Sequence, residues 1–255
     1  IESFIDHYLK LGFDKIIILY HDIQEYILPS NLIEDVEIIN VENNGNKLLN
    51  EYKYLLNNEY DWVLNVDSDE FLLLDKKFNN IHDFITTKLR ENEEINIFQF
   101  SWAWLHVLNP PSHYTLPDLI ENYKLTIGSK NEKTQEIWVK SMTKVTDIEY
   151  ITCHSCILKK YVSPLVYVNG IILDESILLN NHQSDDDEVH DEDYVDESNN
   201  VNLLPRAHVF NEDTYSESVL IHINTRNVVN AFFKGVNIHK TQVKNKRIKD
   251  LKQIK

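Results

Sequence analysis

Asp61-Trp62-Val63-Leu64-Asn65-Val66-Asp67-Ser68-Asp69-Glu70-Phe71-Leu72-Leu73-Leu74 sets an acidic knot between two apolar runs. Its first half, through Val66, reads as a short buried strand rich in Val and Leu. A strand that ends in carboxylates delivers them at the rim of a sheet, where open α/β folds bind their ligands. Asp67 and Asp69 are two apart, so an extended backbone sends both side chains one way and Ser68 the other. Neighbouring carboxylates repel one another, and a divalent cation relieves that repulsion. Two hard oxygen ligands with positions left open suit Mg²⁺ or Mn²⁺ holding a diphosphate, rather than a closed structural site. A solvated acidic turn between strands is the alternative, because D-x-D triplets are common.

Working outward, helix and strand patterns alternate. Upstream, residues 46–57 place Leu48, Leu49, Tyr52, Leu55 and Leu56 on one helical face. Val36-Glu37-Ile38-Ile39-Asn40-Val41 reads as a strand, and Asp14–Tyr20 as a continuous apolar strand of the kind covered on both faces in a parallel sheet. Glu2–Leu11 forms a helix with Phe4, Ile5, Tyr8 and Leu9 on one face, and Gly12 stands where a C-terminal cap is expected. Downstream, Ile81–Leu89 is an amphipathic helix and Asn96–Trp102 a strand. Beyond Trp104 the pattern loosens: His106–Tyr114 reads as a loop around Pro110-Pro111, with short strands at Ile137–Met142 and Ile148–Thr152 and a helix at Val228–Phe233. This alternation predicts an α/β fold, a parallel or mixed sheet flanked by helices in one domain.

The 255 residues suffice for one sizeable core, and 42% hydrophobic content is that of a globular protein. The formal net charge of −16 argues against a nucleic acid or an anionic membrane as the main partner. The acids are concentrated in residues 184–198, expected to be a mobile loop, whereas Lys234 to Lys255 hold eight Lys or Arg against the single acid Asp250. The expected division is therefore a domain over 1–235 and a basic tail over 236–255. No run approaches a transmembrane helix and no signal-peptide pattern is present, so a cytoplasmic location is expected. Two cysteines exclude a disulfide scaffold. Cys153-His154-Ser155-Cys156 is read as two buried free thiols, with a redox pair or half of a zinc site as alternatives.

Several of these segments together resemble glycosyltransferase family 2-like and family 92-like proteins. Residues 5–18 are similar to the family opening "E-x-x-x-Y-H-L-x-L-G-V-D", and Trp62–Leu72 to its "W-V-x-x-x-D-x-D-E-F-L", the most specific match. Leu116–Glu121 followed by Lys140–Val145 resembles "R-P-D-x-x-I-E … K-S-I-V-R-P", with His154 near the His that follows. His222–Asn227 and Phe232–Gly235 resemble "N-H-Y-x-T-K-S … F-x-x-K-x-x-G". The chain departs from the pattern at Val107–Tyr114 and at Ile223, and the family's first strand would precede Ile1.

The resemblance implies a GT-A-type, Rossmann-like fold and transfer of a sugar from a nucleotide-diphosphate sugar, a UDP-sugar, to a hydroxyl on a glycan, protein or lipid-linked acceptor. It implies Mn²⁺ or Mg²⁺ on Asp67 and Asp69, with His154 or His222 completing the shell; His182 and His208 are weaker candidates. Asp69 is then also essential to catalysis, and Glu70 supports the ligands from behind. Lys140 and Arg226 are candidates to meet phosphate oxygens, with Asp67 holding the donor through the metal. Inversion at the anomeric carbon, implied by the family 2 likeness, requires a carboxylate to deprotonate the acceptor. Asp118 and Glu121 are candidates by position. Trp102 and Trp104 are read as sugar-stacking or core residues. Two other readings stay open: a GT-A-fold binding or scaffold protein with little turnover, and a metal-dependent nucleotidyltransferase or phosphohydrolase.

Overall fold

The computed structural model describes residues 1–20, 35–40, 60–106, 125–127, 129–131, 136–151, 156–173, 207–209 and 216–225. The helices expected at 46–57 and 228–233, the acidic loop at 184–198 and the 235/236 boundary lie outside these residues. The fold is mixed α/β. The chain divides into two compact units, the first Ile1–Trp102 with Gly128–Ile221 and the second Ala103–Ile127 with His222–Lys255. Among the described residues no helix is long and apolar enough to cross a membrane.

In the first unit, α1 (Glu2–Lys10) buries Phe4, Ile5 and Tyr8, as their spacing predicts. It stops at Gly12, whose φ of 94° suits a residue without Cβ. There the Gly12 N–H bonds to the Leu9 carbonyl at 3.0 Å and the Phe13 N–H to the Tyr8 carbonyl at 3.1 Å, a Schellman ending. The rings of Tyr8 and Phe13 meet at 5.3 Å, the apolar contact that accompanies such an ending. β1 (Ile16–Tyr20) and β2 (Val36–Asn40) pair in parallel. Ile16 and Val36 are buried, but Ile17, Ile18, Leu19 and Ile39 are only half buried, and Ile16, Ile17 and Leu19 line a cavity, so the pair is less covered than a continuous apolar run suggests.

β3 (Trp62–Leu64) is shorter than expected and only half buried. The chain turns at once into β4 (Glu70–Leu74). Asn80 caps α2 (Ile81–Glu91), its side chain accepting from the Asp83 N–H at 2.9 Å. α2 lays Ile81 and Phe84 against the sheet, where Phe84 stands 5.3 Å from Phe98 and 5.1 Å from Phe78. Phe84→Ala in such a cluster costs about 3–5 kcal/mol.

β5 (Ile97–His106) and β8 (Glu136–Lys144) form the spine of the sheet, antiparallel, with Phe100 opposite Lys140. β8 also pairs antiparallel with β3, setting Leu64 opposite Met142. β7 (Ser129–Asn131) and β13 (Ala207–Val209) pair with β8 as well. A 3₁₀ turn, Val145–Asp147, leads to β9 (Ile148–Ile151), which pairs with β10 (Cys156–Leu158). β11 (Val166–Val168) runs parallel to β5 and forms a hairpin with β12 (Ile171–Leu173) through Asn169-Gly170. With β14 (Ser218–Thr225), the main strand order is β12-β11-β5-β14-β4. In the second unit, β6 (Leu125–Ile127) pairs with Ala103–Leu105 of β5. β5 thus continues past Trp102, where the strand was expected to end, to His106, the residue expected to begin a loop.

Candidate functional site

The acidic knot is a turn, not extended strand. The Glu70 N–H donates to the Asp67 carbonyl at 2.9 Å, closing residues 67–70. The chain must leave β3, which pairs with β8, and enter β4, which lies beside β14. That change of partner breaks the extended alternation from which a shared direction for Asp67 and Asp69 was expected.

Glu70, the first residue of β4, points inward and is fully buried. Its Oε2 accepts from the Asp67 N–H at 2.8 Å, while Oε1 has no hydrogen-bond partner. Burial pushes the carboxyl up to about 8, opposed by Lys140 and the Asp67 N–H and reinforced by the charges of Asp67 and Asp69. Lys140, expected to face phosphate, is 1% exposed and stands 3.4 Å from Asp67 Oδ2 and 3.4 Å from Glu70 Oε2. The Asp67 side chain itself is 62% exposed. Two candidates from different parts of the sequence, Asp67 and Lys140, are therefore neighbours, joined by a buried third residue.

The turn is held from α1. The Tyr8 hydroxyl donates to the Glu70 carbonyl at 3.1 Å and accepts from the Leu72 N–H at 3.2 Å. His7 Nε2 lies 2.7 Å from the Leu72 carbonyl, and burial lowers the basicity of the imidazole. These side chains serve polar backbone groups along β4. Tyr8 had entered the helical pattern as an apolar residue, and its hydroxyl gave no signal of this task.

Beside β3 lies a cavity of about 150 Å³ lined by Phe4, Phe13, Ile16, Tyr60, Trp62 and Asn65, among others, and reaching Val66, the residue before Asp67. Its walls are mainly apolar, with Lys15 and Asn65 supplying polar groups.

His154, Asp118, Glu121, Arg226 and His182 lie outside the described residues, as does the side chain of His208. His222 belongs to the second unit, where its ring packs edge-on to Trp104 at 6.3 Å. Trp102 is buried beside Trp138 at 6.1 Å, which makes it a core residue and not a sugar platform. Cys156 is a buried free thiol 3.1 Å from Thr143 Oγ1, and burial pushes it up to about 12.

A second polar cluster had no signature in the sequence. Glu217 accepts from Lys77 at 2.6 Å, from Lys88 at 3.0 Å and from the Tyr167 hydroxyl. Burial alone would raise the Glu217 carboxyl, but these donors outweigh it and hold it below its usual range. Its partners lie 140, 129 and 50 residues away, beyond any local motif.

Among the described residues no three His, Cys, Asp or Glu side chains group closely enough to hold a metal ion. A hard divalent ion commonly takes one or two carboxylates and fills its other positions with water and phosphate, which asks for a carboxylate open to solvent. The exposure of Asp67 leaves its outer side open to such an ion. Compared with known proteins, the chain matches no protein-family model and no curated protein.

Proposed function

We propose that the chain is a metal-dependent glycosyltransferase with a GT-A-type fold, moving a sugar from a UDP-sugar to a hydroxyl acceptor. The carrying observation is the Asp67–Glu70 turn: it follows β3 beside an apolar cavity that reaches Val66, and a buried carboxyl and lysine brace it from within.

In this reading the acceptor oxygen forms a bond to the anomeric carbon as the bond from that carbon to the diphosphate oxygen breaks. The electron pair leaves with the diphosphate. The acceptor proton passes to a carboxylate, for which Asp118 and Glu121 stand as candidates. A divalent ion on Asp67 and Asp69, when bound, supplies positive charge against the leaving diphosphate. Glu70 fixes the backbone of Asp67, and Lys140 keeps positive charge beneath the turn. His222, His154 and Arg226 remain candidates for donor binding.

The test is hydrolysis of UDP-sugars in the presence of Mn²⁺. Turnover that disappears in Asp69→Ala, with the fold retained, supports the reading; turnover unchanged in that variant overturns it. The Lys140–Asp67 pair also favours a second reading, a binding protein that retains the fold without turnover, because the charge of the turn is already partly balanced by the chain. Calorimetric binding of UDP with Mn²⁺, without hydrolysis of any nucleotide sugar, distinguishes it.

A further inference from the structure

The acidic turn contains its own cation. Lys140 projects from the centre of the sheet, where its residue faces Phe100 in the neighbouring strand. With 1% exposure the ammonium is sealed beneath the Asp67 carboxylate, which is 62% exposed, and the buried Glu70 carboxyl. Its distances to Asp67 Oδ2 and Glu70 Oε2 are equal, 3.4 Å each. Glu70 Oε1, also buried, has no hydrogen-bond partner.

We propose that Lys140 is the resident counter-ion of this turn and competes with a divalent cation for Asp67, so that the metal binds tightly only together with an anionic diphosphate. The inference rests on the glycosyltransferase reading and adds a role that a phosphate-contacting lysine does not have. An ion approaching Asp67 from solvent meets a carboxylate whose inner side already faces an ammonium. Lys140 cannot swing away into water, because it has almost no exposed surface. Its charge therefore repels the incoming ion at short range, where screening is weakest. A diphosphate brings the negative charge that offsets both cations. Each ligand then strengthens the other by the same factor.

The experiment is a Mn²⁺ titration of the full chain, read by the electron paramagnetic resonance of free Mn²⁺, with and without UDP. The proteins are wild type, Lys140→Met and Asp69→Ala, each checked for cooperative unfolding. The proposal expects UDP to tighten Mn²⁺ binding to wild type by about tenfold or more, an ordinary size for linked sites. It expects Lys140→Met to bind Mn²⁺ alone about tenfold more tightly than wild type and to lose much of the UDP effect. A lysine with only a structural role predicts the opposite sign, so weaker or unchanged Mn²⁺ binding by Lys140→Met overturns the proposal. If Lys140→Met does not fold, Lys140→Gln takes its place under the same criteria, and wild-type Mn²⁺ binding indifferent to UDP overturns the proposal without any variant. Absence of Mn²⁺ binding from every protein, with or without UDP, overturns the metal reading itself, and this inference with it.

Discussion

Tyr8 bonds to Glu70 across 62 residues of chain, donating its hydroxyl to the Glu70 carbonyl at 3.1 Å. The same oxygen accepts from the Leu72 N–H at 3.2 Å, so one phenol serves two backbone groups of β4. Both Tyr8 and Glu70 are buried. Burial raises Tyr8 above the usual phenol range, which keeps the hydroxyl protonated as a donor.

Tyr8→Phe keeps the ring and removes that oxygen, leaving a buried N–H and a buried carbonyl short of a partner. The expected cost is about 1–3 kcal/mol. Urea unfolding measures it, and a loss under about 0.5 kcal/mol would show that the two groups find other partners.

Glu70 predicts a particular pH dependence. Its carboxyl lies near 8 in the folded chain against 4.5 for an unperturbed glutamate, so the folded state holds a proton that the unfolded state releases. The stability linked to Glu70 is full below 4.5 and is lost as pH rises through about 8. One proton gives a slope of at most about 1.4 kcal/mol per pH unit. Glu70→Gln should flatten the stability profile across this window; a profile with the same slope in the variant refutes the assignment.

Gly12 combines a left-handed backbone with a close neighbour. An alanine there adopts an unfavourable φ of 94° and brings its Cβ within 3.1 Å of Asn80 Cβ, at the start of α2. Gly12→Ala is expected to destabilise by about 1–2 kcal/mol. Thermal unfolding gives the answer, and an unchanged or raised melting temperature contradicts it.

Cys156 should behave as a core residue. Its thiol is buried and pushed up to about 12, which leaves very little thiolate at neutral pH. Alkylation of Cys156, located by mass spectrometry, should be slow in the native chain and rapid in denaturant. Rapid native labelling would favour the redox reading of Cys153-His154-Ser155-Cys156, in which Cys153 lies outside the described residues.

The sequence revealed what is local. The spacing of Phe4, Ile5 and Tyr8, the cap at Gly12 and the apolar run after the acidic knot read correctly, because each depends on near neighbours, whereas the strand before the knot is shorter and less buried than its composition suggests. The hairpin at Asn169-Gly170 was equally legible: Asn-Gly between apolar pairs is a strong turn signal, and Asn169 adopts φ 44° there. The common direction expected of Asp67 and Asp69 rests on a period of two, which holds only while the backbone is extended, and the change of partner strand ends that condition at Asp67. The ion pair of Lys140 with Asp67 spans 73 residues and follows from strand register, which no local pattern encodes.

The Glu217 cluster has a bearing on how the chain is made. Lys77, Lys88 and Tyr167 precede Glu217 and gather around its carboxylate. A nascent polypeptide leaving the ribosome has the two lysines and the tyrosine long before the acid that joins them. Until residue 217 emerges, Lys88 has Glu91, three residues on, but not Glu217, so these ion pairs are completed only after Glu217 has been made.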